Sequence, residues 1–280
     1  MRSKVHDMKD ALKARVKANY PLYSAYQFYR STRWRAVSFR FLGNGAHRSI
    51  QIVTGADKSH YLSLINLLES VREHEPEARV NVWDLGLLVT QLQEIEVRFP
   101  KYLIKKFPFN EYPSYFDIQI VAGEYAWKPV IICGEAAITD RLVVWLDAGD
   151  IVTSRLTWIR RLTDSMGLFS PYSSGTISQW THPGTLAALG VRKNLLSRRE
   201  LTAGIIAVDP LNDRAMVLLK KWDECALRRE CIAPMGADSS NHRQDQAVFT
   251  VLSYQDGLAP SGFLGYLTAP LGIKTHQDPH

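Results

Sequence analysis

Five apolar residues, Leu142-Val143-Val144-Trp145-Leu146, run without interruption into Asp147-Ala148-Gly149-Asp150. This junction constrains the fold more than any other feature of the chain. A run that is apolar at every position reads as a central strand covered on both faces, the habit of parallel sheets in α/β proteins. It is far too short to cross a bilayer, which takes roughly 20 apolar residues. Open α/β sheets bind ligands at the carboxyl edge of their strands, where the loops converge. Two acids at such a tip cost desolvation free energy and persist where a cation, a hydrogen-bond network or a ligand satisfies them. Asp147 and Asp150 are therefore candidate ligands for Mg or Mn shared with phosphate oxygens. The structural alternative is a cap from Asp147 and a turn at Gly149-Asp150.

Elements on either side support that reading. Ile50 to Val53 is a β-rich run stopped by Thr54-Gly55-Ala56-Asp57, and Tyr61, Leu64, Ile65, Leu68 and Val71 then recur at helical spacing. Arg79 to Trp83 completes a βαβ unit, which implies a parallel sheet. Glu94 to Phe99 alternates Ile95, Val97 and Phe99 and predicts a further strand; a helix is expected near Tyr125 to Ala137. Later come a Gly/Ser/Thr-rich loop from Ser170 to Gly190, a strand at Gly204 to Val208, a helix over about Asn212 to Arg228 and another opening near Gln244. The expected class is α/β, a mixed and mainly parallel sheet flanked by helices.

At 280 residues and 46% hydrophobic composition the chain can bury one substantial core. The expected division is a basic, helical and aromatic extension over 1–48 and a catalytic domain over 49–280. The net charge of +6 is concentrated in the extension, which holds eleven Lys and Arg against two Asp. There Arg30, Arg33, Arg35 and Arg40 alternate with aromatic residues, a pattern suited to anionic lipid headgroups or to packing on the main domain. No nucleic-acid recognition motif accompanies it, so no nucleic-acid partner is expected. The N-terminus lacks the apolar block of a secretory signal, which points to a cytoplasmic protein, peripheral on the inner face of the cell membrane through its extension. Cys133, Cys225 and Cys231 have no Cys-x-x-Cys spacing, and reduced, buried thiols are expected.

The order of these motifs resembles the glycosyltransferases of the GT-A fold and is most similar to family 8, retaining enzymes that use UDP-sugars. The resemblance spans about Ile50 to His276. It implies that Thr54, Gly55 and Asp57 hold the nucleotide, with His60 where the family stacks an aromatic on uracil and Tyr61 one beyond. The metal motif would be Asp147 and Asp150, with Gly149 where the family has its second Asp. His276 would be the third ligand, or a surface residue with Asp278 or His280 in its place. Thr202 and Gly204 are similar to the family's Asn-Ala-Gly strand, which approaches the donor sugar; a tight strand entry is the alternative. Asp245 and Gln246 would lie under the transferred sugar as the catalytic pair, or Asp245 would cap a helix. Lys128 would face the diphosphate, or be a solvated helix lysine.

The implied activity is transfer of a hexose, galactose or glucose, from a UDP-sugar to a glycan or lipid-linked oligosaccharide in surface polysaccharide assembly. Two alternatives remain open: a non-catalytic nucleotide-sugar or glycan-binding protein, and a sugar nucleotidyltransferase. The second normally carries a Gly-rich loop that Thr54-Gly55-Ala56-Asp57 lacks.

Overall fold

In the computed structural model the chain divides into two units, 1–43 and 44–280. The structure describes residues 47–262, 264–266 and 271–279. The N-terminal extension, with its expected helix and lipid-facing arm, lies almost wholly outside the described residues.

Six strands form the main sheet in the order β3-β2-β1-β4-β9-β6. They are β1 (Ile50–Ala56), β2 (Arg79–Asp84), β3 (Leu103–Lys106), β4 (Leu142–Leu146), β6 (Leu168–Phe169) and β9 (Ile205–Val208). The first four run parallel, and β9 runs antiparallel to both β4 and β6. Two small antiparallel pairs complete the strands: β5 (Ile151–Val152) with β10 (Ile273–Lys274), and β7 (Tyr172–Thr176) with β8 (Arg199–Leu201). The longer helices are α1 (Tyr61–His74), α2 (Val89–Arg98), α3 (Trp127–Ala137), α4 (Thr157–Met166), α5 (Asp213–Ala226) and α6 (Gln244–Gln255). The architecture is thus a mixed, mainly parallel sheet flanked by helices, as expected.

Strands β1 and β4 are buried at every position. Side chains alternate across a strand, so Val53, Val143 and Trp145 project to one face, where they join a core with residues of α3, α5 and α6. Helices α1 and α4 contact β1 and β4 as well, and Ile52, Val144 and Leu146 on the opposite parity are fully buried. Covering both faces is what excludes polar residues from this run until the strand ends.

Three expectations are corrected. Residues 94–98 belong to α2 and Phe99 is its C-cap, so this stretch is not a strand. Ile95 and Phe99 stand one helical turn apart and are buried, whereas Val97 is 81% exposed; three alternating residues fit either period. The strand comes later, as β3. The Ser170–Gly190 stretch is not all loop: it holds β7 and two helical turns, Ile177–Trp180 and Pro183–Ala188. Finally, Cys225 and Cys231 are joined as a disulfide, with Cys133 left as a thiol. The six-residue spacing carries no motif, but the fold ends α5 at Ala226 and turns the chain back through Arg229–Ile232, bringing the two Cα atoms to 5.3 Å.

Candidate active site

The parallel strands β1, β2, β3 and β4 all end at one edge of the sheet, so Asp57, Asp84, Lys106 and Asp147 emerge on the same side. Because β9 is antiparallel to β4, its entrance lies beside the exit of β4. Leu146 pairs with Ile205, and the Asp147 N–H donates to the Gly204 carbonyl at 3.0 Å. The topology therefore brings Thr202 and Gly204, far along the chain, next to Asp147. The Thr202 hydroxyl accepts from the Gly204 N–H at 3.0 Å. A Cβ on Gly204 would stand 3.1 Å from Asp147 Oδ2, so only glycine leaves that oxygen unobstructed.

Lys128, at the start of α3, is 4% exposed and not a solvated lysine. Its Nζ donates to Asp147 Oδ1 at 2.9 Å and to the Ala203 carbonyl at 3.4 Å, and it lies 3.4 Å from Asp245 Oδ2. Trp145, Tyr125 and Trp127 surround the ammonium at 5.5 to 5.8 Å from their ring centroids, a cation–π arrangement. Burial alone would lower the Lys128 pKa, but Asp147 and Asp245 outweigh it and hold the ammonium charged. Trp145 Nε1 donates to the same Asp147 Oδ1 at 2.7 Å. Two donors thus occupy one carboxylate oxygen, and the other points toward Gly204.

Helix α3 is held in place from the same face. Glu135 lies seven residues, nearly two whole turns, after Lys128 and is 1% exposed. Its carboxylate accepts from Gln51 (2.8 Å), Asn81 (2.7 Å), Trp83 (2.9 Å) and Lys105 (2.8 Å), one or more donors from each of β1, β2 and β3. This buried network ties the helix to the sheet and thereby aims Lys128 at the end of β4.

Asp150 is 3% exposed, and its Oδ2 has no hydrogen-bond partner. Burial, with Asp147 adding to it, pushes its pKa up to about 9. Pairing of β10 with β5 returns the C-terminal segment to this tip: the Gln277 N–H donates to the Gly149 carbonyl at 2.7 Å. The Asp278 carboxylate packs so close to Gly149 that a Cβ there would meet Oδ1 at 2.7 Å. Asp278 Oδ1 accepts from the Ser63 hydroxyl at 2.6 Å. His276 lies on this returning segment with its side chain exposed, and His280 lies outside the described residues. Among the described residues no three His, Cys, Asp or Glu side chains converge as a ready ligand set.

At the end of β1, Asp57 Oδ1 accepts from the Ser59 and His60 N–H groups at 3.0 and 3.1 Å and from the Ser59 hydroxyl at 2.6 Å. It lies 2.7 Å from His60 Nδ1. Burial raises the Asp57 pKa, yet these hydrogen bonds outweigh it and keep the carboxyl below its ordinary range. Thr54 is fully buried in the strand, and Tyr61 is 9% exposed in the first turn of α1. Gly55 faces Leu85, whose Cδ1 a Cβ would meet at 3.2 Å. The phenol of Tyr125 has its pKa raised by burial and by Asp245, and also feels Asp147 and Asp57, so the β1 turn, the β4 tip and α6 share one electrostatic neighbourhood.

Asp245 is not the cap of α6. Arg243 holds that position without a side-chain cap bond, and Asp245 lies in the first turn, 5% exposed. Burial raises its pKa to about 6 against the opposing pull of Lys128. Its carbonyl accepts from Trp222 Nε1 at 3.0 Å. Gln246 turns its amide toward Glu200 Oε2, 3.5 Å away, which also accepts from the Thr250 hydroxyl at 3.0 Å. Glu200 is fully buried on β8, and burial pushes its pKa up to about 7. Sequence reasoning missed Glu200, Tyr125 and Trp145 as parts of this site. Nothing in their local pattern marks them, because β8, the turn before α3 and the β4 core meet only in three dimensions.

A family described as a protein of unknown function, DUF1647, matches residues 42–133. No curated protein matches the chain. Among solved structures the chain is similar to the galactosyltransferase LgtC in complex with donor and acceptor sugar analogs, at 20% identity and a TM-score of 0.46, over 75% of this chain and 72% of that one. An active-site mutant of LgtC matches at 18% identity and a TM-score of 0.49, over 82% and 88%. Core-mannan synthase A of Aspergillus fumigatus, in a Mn/GDP form, matches at 9% identity and a TM-score of 0.49, over 75% and 71%. At these identities and scores the functional reading rests on this chain's own residues.

Proposed function

We propose that the chain is a glycosyltransferase that moves a hexose from a nucleotide-activated donor to a glycan hydroxyl. The observation that carries this reading is the convergence of Asp147, Lys128 and Asp245 at the carboxyl edge of the sheet, beside the Asp57 turn. An ammonium fixed between carboxylates at a sheet edge suits a diphosphate leaving group, because it stabilises negative charge where it develops. In the transfer the bond between the sugar's anomeric carbon and the phosphate oxygen breaks. A bond from that carbon to the acceptor oxygen forms, and the acceptor's proton passes to the departing phosphate or to a carboxylate. Asp245 and Gln246 would face the sugar; retention of configuration is part of the proposal.

The residues fit a divalent cation of the Mg or Mn kind. Asp150 Oδ2 is a buried oxygen without a partner, and Gly204 leaves room beside Asp147 Oδ2. Such ions are commonly held by one or two carboxylates together with substrate phosphates rather than by a full protein cage. Asp147 and Asp150 would hold the ion, with Asp278 behind them, and it would neutralise charge on the leaving diphosphate.

UDP as the nucleotide, a lipid-linked or surface-polysaccharide acceptor and a peripheral membrane contact extend the proposal from the sequence. Incubation with a panel of UDP- and GDP-sugars plus manganese tests the central claim: slow donor hydrolysis is expected without acceptor, and Asp147→Ala should abolish it. No turnover with any donor, alongside intact nucleotide binding, would favour the non-catalytic binder. Liposome flotation with and without residues 1–45 tests the membrane contact.

A further inference from the structure

The resemblance in sequence places an aromatic ring against the donor base three positions after Asp57, where this chain has His60. The His60 ring is already engaged, with Nδ1 2.7 Å from Asp57 Oδ1 and 3.1 Å from Ser59 Oγ. Tyr61 is buried in α1. These contacts lie in the ring plane of an exposed side chain, so His60 offers one face at this edge, and the neighbouring surface offers a second.

A cavity of about 570 Å³ opens where β2 and β3 end, lined by Asp84, Gly86 and Lys106 from the strand ends and by Phe109, Tyr112 and Gln119 from the chain that follows β3. It adjoins the Asp57 turn through the backbone: Lys58 N–H donates to the Gly86 carbonyl at 3.1 Å, and Leu85 N–H to the Ala56 carbonyl at 3.0 Å. Phe109 and Tyr112 are half-buried and pack on Phe107 with ring centroids 4.7 and 4.9 Å apart. The core therefore fixes these rings while they still line the cavity, which makes them a rigid stacking platform. Asn110 and Gln119, both exposed at the rim, carry donors and acceptors on one group, as reading a base edge requires.

Position agrees with chemistry. The strand order is β3-β2-β1-β4, and neighbouring strands are spaced by about 4.8 Å, so the cavity lies roughly 10 to 14 Å from the end of β4. An extended nucleoside diphosphate covers that span between its terminal phosphate and its base. We infer that this cavity receives the donor's nucleobase, stacked on Phe109 and Tyr112 and read by Asn110 and Gln119, so that loop 107–120 rather than His60 selects the base. The inference rests on the nucleotide-sugar reading above and deepens it.

Calorimetric titration of the full chain with UDP, GDP and inorganic pyrophosphate, in manganese, tests it. Phe109→Ala is expected to weaken the preferred nucleotide about tenfold or more, the usual effect of removing a stacked ring, while pyrophosphate binding, which also reports an intact fold, stays within twofold. Asn110→Ala and Gln119→Ala, at exposed positions, are expected to change the ratio of UDP to GDP affinity severalfold. Unchanged nucleotide affinity in all three variants, with a tenfold loss in His60→Ala, would overturn the cavity assignment and leave the donor reading standing. If the unmodified chain binds neither nucleotide nor pyrophosphate, both fall.

Discussion

Asp245 on α6 lies 3.4 Å from Lys128 on α3, and both side chains are more than nine-tenths buried. Removing one partner of a buried ion pair strands the other's charge, which typically costs about 3–5 kcal/mol. Lys128→Ala should therefore destabilise the chain by about that amount. Lys128→Ala combined with Asp245→Asn should recover part of the loss, because the buried Asp245 carboxylate is no longer left unpaired and only the more exposed Asp147 keeps its charge. Urea unfolding of the two single variants and the double variant measures the coupling. Simple additivity would mean that the two groups do not act on one another.

Gly204 offers a separate handle on the site. A methyl group there would stand 3.1 Å from Asp147 Oδ2 and 3.3 Å from Thr202 Oγ1. Gly204→Ala is expected to raise the donor KM or abolish turnover, while Tm moves by no more than a few degrees, since φ at this position needs no glycine. Unchanged kinetics would show that the donor does not approach this strand.

Asp150 makes stability depend on pH in a stated direction. Its folded pKa of about 9 exceeds the ordinary 3.8, so the folded chain holds a proton that the unfolded chain releases. The linked stability is fully present below about 4 and is lost as pH rises toward 9. Asp150→Asn removes that loss. The variant should exceed the unmodified protein by at least about 1 kcal/mol at pH 8 in EDTA, the equivalent of roughly one pKa unit, with the difference shrinking toward pH 4. Manganese at pH 8 should raise the Tm of the unmodified protein more than that of the variant. Equal differences at both pH values would contradict the burial argument.

The Cys225–Cys231 bridge closes a short loop between α5 and the following turn. A loop of this size is worth about 2 kcal/mol on chain-entropy grounds. Its neighbours lead back to the site. Thr185 Oγ1 donates to the Cys231 carbonyl at 2.8 Å, His242 Nε2 lies 2.8 Å from the Ile232 carbonyl, and Trp222 of α5 holds the Asp245 carbonyl. A dithiol should lower the Tm of the unmodified protein but not that of Cys225→Ser. Mass spectrometry of alkylated protein from its native cells reads the pairing directly. A bridge present there would place the chain in an oxidising compartment, against the cytoplasmic location expected from the N-terminus.

Local pattern was enough for the frame of this protein. The uniform apolarity of Leu142 to Leu146 demanded a strand covered on both faces, and its abrupt end in Asp147 located the sheet edge where Lys128, Asp147 and Asp245 meet, because burial and charge exclude one another along a chain. Helical spacing from Tyr61 to Val71 likewise set α1. Sequence periodicity failed where two periods coincide, at Ile95, Val97 and Phe99. Only the tertiary structure decided which charges meet. Lys128, Asp147 and Asp245 lie on three different elements, and Glu200 faces Gln246 through the packing of β8 against α6. Contacts between residues so far apart in the chain depend on strand order and helix placement, which no window of sequence contains.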